Sequence, residues 1–508
     1  MTVTIHIDNR IRMKAAELGV DCVNALKQEF THKNPKRESM QYMKIPGFWN
    51  EPKFYATFKR DNDAQGVEWY SFPRGGMARI RAVLEEFELE WEEIDERNEG
   101  APDVRREDIP DHRLTPYEHQ LEAVDAAMQR EQCLIQAPTG SGKTVVVFNL
   151  ISRWKVPSLI VVPTAALMRQ WEKRIPIELG IKDYGFIRGK HTKLRPVTLT
   201  MPATLAKRLE QEGAQEIRDY FGAVFGDEAQ LFAADTFYRS IDPMPARYRI
   251  AVSADEKRKD KKEFLIYDLF GDVAKKITRK RLVKQGVILD VEIWVIPTEF
   301  RADWYGLSQE NEEGESDEEG TEKKKLDFDR LLNEMLRNDE RNRLVYETIK
   351  RTVDGGKQIL ALAHRREHCW TIDRTLASYA MRIGALIGGA DNKRIFEETF
   401  AKLESGDLDV GVGTYQATGT GLDLPRIAVG IGVTPIAGNK QFFNQVRGRF
   451  CRTVKDGSIE KKDAKLYYLW DKHVYPSHLK NLMKWNSKVV VWTGTSWIDA
   501  RHYLEEET

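Results

Sequence analysis

The stretch Ala137-Pro138-Thr139-Gly140-Ser141-Gly142-Lys143-Thr144 constrains this chain more than any other. A short apolar run, Cys133-Leu134-Ile135, precedes it, and Val145-Val146-Val147-Phe148 follows. The order reads as a buried strand, a glycine-rich turn and a helix start. A phosphate cradle needs that order. Glycines let successive backbone N–H groups converge on phosphate oxygens, and the helix N-terminus adds the positive end of its dipole. Lys143 is placed to reach the outer phosphates, and the Thr144 hydroxyl to ligate a magnesium ion. Ala137 stands where the pattern usually begins with glycine. The ligand implied is a nucleoside triphosphate, held by Pro138, Thr139, Gly140, Ser141, Gly142, Lys143 and Thr144.

The 508 residues suffice for about three domains at ordinary domain sizes. Lys and Arg number 79, as do Asp and Glu, so net charge selects no partner and any nucleic-acid surface must arise from local clustering. Cys22, Cys133, Cys369 and Cys451 are scattered without a C-x-x-C pair, which points to plain thiols rather than a zinc site or disulfide framework. No apolar run approaches bilayer-spanning length, and Met1-Thr2-Val3-Thr4 does not open a signal peptide. The expectation is a soluble, cytoplasmic protein with no membrane partner.

Residues 1–99 read as an N-terminal module, aromatic-rich from Tyr42 to Phe72 and helical in pattern from Met77 to Leu89. Residues 100–112 are polar, carry Pro102 and Pro110, and read as a linker. From residue 113 to 286, apolar runs such as Leu159-Ile160-Val161-Val162 and Ala223-Val224-Phe225 alternate with helical segments, the texture of buried parallel strands with crossover helices. A second block of this kind spans 287–475. Its acidic segment 309–325 reads as a solvated, mobile insertion, because it has too little apolar surface to fold; an acidic tail competing with nucleic acid is the alternative. Residues 476–508, with Trp485, Trp492 and Trp497, read as a helical or irregular extension.

Gly226-Asp227-Glu228-Ala229-Gln230 follows the strand Ala223-Val224-Phe225. A carboxylate at a strand end beside a phosphate loop can hold magnesium, and the next can orient and deprotonate water. Upstream of the loop, Gln120 can offer adenine one donor and one acceptor, or simply belong to the helix that starts after Pro116. Far downstream, Arg449 and Arg452 are three apart and share a helix face, as charge on a transferring phosphate would require and as many surface arginine pairs also do.

Taken in order, these motifs resemble the superfamily-two helicases and translocases. Pro163-Thr164-Ala165-Ala166-Leu167-Met168-Arg169-Gln170-Trp171, Thr200-Met201-Pro202-Ala203-Thr204-Leu205, Ser253-Ala254-Asp255 and the run Thr414 to Pro425 look like further motifs of the family. The likeness covers roughly Leu114 to Trp470. The tract from Leu269 to Gly286 resembles the XPB-like and phage UvsW-like branch, and Phe30 to Pro35 with Ser71 to Gly75 resembles the DNA-binding front module of that branch. The fold this implies is α/β: two tandem RecA-like lobes with parallel sheets, preceded by a small α+β module. The cofactors implied are ATP and Mg2+.

The resemblance also assigns roles. Lys143 and Thr144 hold phosphates and magnesium, Asp227 supports magnesium and Glu228 activates water. Gln230, Arg449 and Arg452 complete the ATP site, with Arg452 the arginine-finger candidate. Gly421 and Asp423 couple nucleotide to strand. Thr164, Arg188, Gly189, Thr200, His364, Gly388 and Thr414 lie along the nucleic-acid path. Three departures stand out: Gln230 in place of Asp or His, Asp255 in place of Thr, and Val446 in place of a frequent Arg, with Arg447 the nearest substitute.

The expected activity is an ATP-dependent DNA helicase or translocase acting on single strands and forked or branched duplex in phage-type replication, recombination or repair. If phage-encoded, it would work in the host cytoplasm. RNA unwinding and the motor of a restriction or defence complex are the alternatives. Basic clusters at 257–262 and 275–281 can neutralise phosphates or merely solvate a surface. Of the aromatics Trp49, Phe54, Tyr55, Phe58, Trp69 and Tyr70, most are expected in the module's core and one or two exposed.

Overall fold

Apolar runs that are buried on both faces can only sit in the middle of a layered α/β structure, and the computed structural model places them there. It describes every residue except 1, 43–47, 51, 232–233, 255–260, 303, 305–326, 355, 419–423, 425, 454–460, 462, 487 and 508. Gly421, Asp423, Asp255 and the insertion 309–325 thus lie outside the described residues. Two compact units emerge, Met1–Arg279 and Lys280–Thr508.

The first unit contains an eight-stranded sheet. Its spatial order is His191–Lys193, Gly185–Arg188, Val197–Thr200, Ser158–Val161, Ala223–Asp227, Tyr248–Ser253, Gln132–Gln136 and Val273–Lys276. All neighbours pair parallel except the first two, which form an antiparallel hairpin. Leu134, Leu159, Val161, Val224 and Ala251 pack with Phe221, Ile241 and Phe270 in one core.

The same unit carries a five-stranded sheet, in the order Lys59–Asn62, Glu68–Pro73, Arg10–Lys14, Thr2–Ile7, Glu90–Asp95. Its core is formed by Val3, Ile5, Ile11, Phe30, Phe72 and Ile80 among others. Of the six aromatics expected mostly in this core, only Tyr70 is buried. Phe58 packs against the core, Tyr55 and Trp69 are half-buried, and Trp49 and Phe54 are exposed, because they lie outside the five-stranded sheet, Phe54 on a short strand that leaves one face uncovered.

This front sheet is packed onto the larger one through buried charge. Arg10 donates to both carboxylate oxygens of Asp242 at 2.9 Å, with both side chains about 5 % exposed or less. Arg74, also buried, donates to the carbonyls of Ala246 (2.7 Å) and Arg247 (3.2 Å). Gly75 allows the closest approach: a Cβ there would lie 2.1 Å from the Tyr267 carbonyl oxygen.

The segment read as a linker is tied down as well. Ile109 is fully buried, Ala101 N–H donates to Tyr220 O at 2.9 Å, and His112 Nε2 lies 2.8 Å from Glu178 Oε2. Its two prolines and its charges mimic a free linker in composition, while the backbone of Ala101 and Ile109 ties it to the sheet unit.

The second unit is again an eight-stranded sheet: Ile383–Leu386, Val410–Thr414, Ile359–Ala363, Val429–Gly432, Ala464–Asp471, Val291–Thr298, Val489–Trp492 and Trp497–Asp499. Every pairing is parallel except the last. The terminal segment therefore differs from a helical or irregular extension: beyond the helix Ser477–Trp485, it adds a hairpin to the sheet. Val489-Val490-Val491-Trp492 is a β-branched run, and its parallel pairing with Val291–Thr298 buries Val489 and Val491.

The four cysteines are buried free thiols. Among the described residues no helix is long and apolar enough to cross a membrane.

Candidate nucleotide site and strand-end edge

The glycine-rich loop joins Gln132–Gln136 to the helix Lys143–Trp154. Gly140 and Gly142 have φ of 87° and 80°, in the left-handed region that residues with a Cβ avoid. At Gly142 space is short as well, because a Cβ would lie 2.2 Å from Gln120 Nε2. The loop is held at both ends. Ala137 N–H donates to Ser253 O at 2.8 Å, and Ser141 O accepts from Gln120 Nε2 at 2.9 Å with His119 Nε2 at the same distance. Gln120 Oε1 accepts from Tyr117 N–H at 2.8 Å. Gln120 is thus a brace for the loop in this structure, and the adenine role rests on its amide chemistry and its position upstream of the loop.

Asp227 ends the buried strand Ala223–Asp227, which brings the two carboxylates beside the loop. Lys143 Nζ lies 2.6 Å from Glu228 Oε1. Gln230 Nε2 donates to Glu228 Oε2 at 2.6 Å, and Gln230 Oε1 accepts from the Ser253 hydroxyl. One polar chain therefore joins the phosphate loop to the ends of two strands. Asp227 is separately engaged: Trp171 Nε1 donates to its Oδ2 at 2.8 Å.

The two carboxylates are pushed apart in acidity. Burial, then the Glu228 charge, raise Asp227 above the usual carboxylate range against the pull of Lys143. Burial also presses Glu228 upward, but Lys143 and the Gln230 amide outweigh it and hold Glu228 below that range.

The donor set fits a magnesium nucleotide. Thr144 and Asp227 would supply hard oxygen ligands at the loop, as magnesium prefers. The buried Ser141 Oγ has no partner among the described residues, inside a loop whose N–H groups face phosphate in proteins with this turn.

The remaining positions of the first unit fall on the same carboxyl-terminal edge of its sheet. Thr164 follows Ser158–Val161, Thr200 ends Val197–Thr200, and Gly189 follows Gly185–Arg188. Each has a structural task. Thr164 caps the helix Ala165–Glu178 by accepting from Leu167 N–H at 3.2 Å. Thr200 is buried and donates to Ile187 O at 3.1 Å. Gly189 turns the hairpin at φ 52°, with open space around it. Arg188 pairs with Glu172 and lies over the Phe186 ring.

In the second unit His364, Gly388 and Thr414 likewise follow or end the strands Ile359–Ala363, Ile383–Leu386 and Val410–Thr414. Thr414 Oγ1 accepts from Ala417 N–H at 3.1 Å. Burial lowers His364 to about 4, so its ring is neutral at physiological pH. Arg449 follows the helix Lys440–Gly448; burial, then Arg452, lower it to about 10, still cationic. Arg452 bridges Ile288 through its backbone. Arg447, the substitute proposed for the missing arginine, is spent on Asn486 Oδ1 and on Asn444 Oδ1 at 2.8 Å.

Sequence reasoning did not give Trp171 or Ser253 their roles at the carboxylates. Trp171 stood inside a quoted motif, yet only the fold shows that its buried face meets Asp227.

The family described as "Type III restriction enzyme, res subunit" matches residues 113–258. The DNA 3'-5' translocase XPB2 of Sulfurisphaera tokodaii is 31% identical over 156 residues, 31% of this chain and 34% of that protein. The DNA 3'-5' helicase XPB of Mycobacterium tuberculosis is 24% identical over 350 residues, 67% of this chain and 58% of that one. The chain thus spans a third to somewhat over half of these relatives' length. Among solved structures, S. cerevisiae Dbp5 bound to RNA and ADP BeF3 shares the fold at TM-score 0.52 and 12% identity, covering 77% of this chain and 92% of that one.

Proposed function

We propose, from the premise that the chain is a superfamily-two helicase or translocase of the XPB-like kind, that it hydrolyses ATP to move on DNA and to remodel forked or branched duplex. The observation that carries this reading is the polar chain Lys143–Glu228–Gln230–Ser253, which ties the phosphate loop to two neighbouring strand ends. In this reading Lys143 gives up Glu228 for the outer phosphates, which frees Glu228 to orient and deprotonate the attacking water. Asp227 and Thr144 would hold magnesium, which when bound neutralises charge on the phosphates. Gln230 keeps Glu228 aimed, and Ser253 ties that geometry to the end of its own strand. Arg449, Arg452, Gly421 and Asp423 keep the roles the resemblance gives them, with Arg452 stabilising charge on the transferring phosphate.

The strand-end residues Thr164, Arg188, Gly189 and Thr200 of the first unit, and His364, Gly388 and Thr414 of the second, support a nucleic-acid path by lying at the carboxyl edge of their own sheets, since ligands of open α/β sheets bind outside the carboxyl ends of the strands. DNA is favoured over RNA because the XPB relatives are a DNA 3'-5' translocase and a DNA 3'-5' helicase. The restriction-subunit family profile favours a second reading, a motor that serves a nuclease on another chain.

The test is the ATPase rate of the full chain with single-stranded DNA, single-stranded RNA, duplex, fork and four-way junction. Stimulation greatest by DNA, with strand movement on forks or junctions, is the expected result. Lys143→Ala should abolish turnover while nucleotide-free DNA binding survives. Stimulation by RNA alone would replace the substrate, and turnover in Lys143→Ala within a few-fold of wild type would remove this loop from the chemistry.

A further inference from the structure

Four aromatic rings meet at the carboxyl edge of the second sheet, and the roles above use only one of them. His364 follows Ile359–Ala363, Tyr415 follows Val410–Thr414, Phe442 lies in the helix Lys440–Gly448, and Phe328 opens the helix Phe328–Arg337. Phe328 meets His364 edge-on at 5.1 Å between centroids. His364 meets Tyr415 at 4.7 Å and Phe442 at 5.8 Å, and Tyr415 meets Phe442 at 5.2 Å.

Phe328 is placed unusually for a packing residue. It lies three, four and seven residues before the buried Leu331, Leu332 and Met335, so it continues the helix's inward stripe. The stripe runs past the core, and Phe328 remains 37% exposed. Arg365 fixes that end of the helix by donating to Asp329 Oδ1 at 2.9 Å and to Asp329 O at 3.0 Å.

His364 supplies a polar group without charge. Its Nδ1 lies 2.7 Å from Thr434 Oγ1, which also accepts the His364 backbone N–H at 3.0 Å. Nε2 has no hydrogen-bond partner among the described residues. The exposed Arg366, two residues after His364, approaches Gly389: a Cβ there would lie 3.2 Å from its Nη1, and Gly389 has φ +123°.

We propose that Phe328, with His364 and Phe442 behind it, is a stacking platform for one base of a bound nucleic-acid single strand, with Arg366 and the Gly388-Gly389 turn beside it for the neighbouring phosphate. The inference rests on the single-strand motor reading and deepens it. Aromatic faces accept any base, so the platform grips a base without selecting sequence. It adds to a motor held mainly by backbone phosphates a contact that does not depend on counterion release.

The experiment measures binding of the full chain to fluorescent oligothymidylate and to the same strand carrying abasic sites, each over a series of salt concentrations. Wild type should bind the base-bearing strand more tightly. Phe328→Ala should weaken that binding roughly five- to hundredfold, to the abasic level, with the salt slope unchanged. Phe328→Trp should keep the preference, and Phe328→Leu, which preserves the apolar contact, should lose it while keeping the wild-type melting temperature. Arg366→Ala should instead flatten the salt slope on both strands. Equal wild-type affinity for both strands, equal loss on both in Phe328→Ala, or a Leu variant that behaves as wild type overturns the platform while leaving the motor reading intact. A wild-type chain that binds no single strand and whose ATPase none stimulates overturns the motor reading and the platform with it.

Discussion

Glu228 occupies a left-handed backbone conformation, φ 51°, without being glycine. Such a residue carries strain of about 1–3 kcal/mol that surrounding contacts must hold in place. Here Lys143 and Gln230 grip its two oxygens, at 2.6 Å each. These contacts hold the carboxylate against Lys143, the first residue of the helix that follows the phosphate loop. Glu228→Gln retains the shape but loses the base. We expect nucleotide affinity within a few-fold of wild type and turnover lowered at least about a hundredfold, the usual worth of a positioned general base. Single-turnover hydrolysis alongside equilibrium nucleotide binding checks this, and normal hydrolysis would assign the base to another residue. Gln230 suits the site in a way Asp could not, since its amide donates to Glu228 while accepting from Ser253.

Elements differ in how far their residues disclose them. The phosphate loop was legible because its constraint is local: glycine at two left-handed positions and a strand before the helix are written in adjacent residues. The parallel strands were legible for a related reason, since burial on both faces leaves only apolar residues to use, as in Leu159-Ile160-Val161-Val162. What was obscured depends on partners distant in sequence. Trp171 reaches Asp227 across 56 positions, and Arg10 reaches Asp242 across 232. The strand Val489–Trp492 finds its neighbour in Val291–Thr298, nearly two hundred residues earlier, so its β-branched run read as part of a helical or irregular extension. The nucleic-acid positions illustrate the opposite hazard. Thr164 and Thr200 match family motifs, yet each is explained by a cap or a buried hydrogen bond, and only their common edge argues for more.

On the scale of the whole molecule, the front module is an integral part of the first unit. The sequence predicts that a fragment from about Asp111 keeps basal ATPase activity, because every ATP motif lies after it. The structure leads to the contrary expectation. Removing residues 1–110 strips Arg10 from the buried Asp242, and Asn9 O from the fully buried Arg249, which it meets at 3.2 Å. Breaking one partner of a buried ion pair costs about 3–5 kcal/mol, comparable to a large share of a domain's stability. The fragment should therefore aggregate or unfold, and Arg10→Ala in the full chain should lower the unfolding free energy of the first unit by that amount, read as a lower urea midpoint at unchanged m-value. A soluble, ATPase-active fragment would restore the view of a detachable recognition module.

Trp171 gives the chain a built-in optical probe. The indole is 1% exposed, stacks edge-on against Phe148 at 5.1 Å and donates its N–H to the carboxylate proposed to meet the metal. An indole's emission follows its local field, so a charge arriving at Asp227 should change this fluorophore before any strand moves. With 12 tryptophans in the chain, the signal is the difference between wild type and Trp171→Phe. Magnesium nucleotide should alter that difference spectrum and magnesium-free nucleotide should leave it smaller; identical spectra would mean that the ion settles elsewhere. Stopped-flow recording of the same emission would then time the nucleotide's arrival without any attached dye.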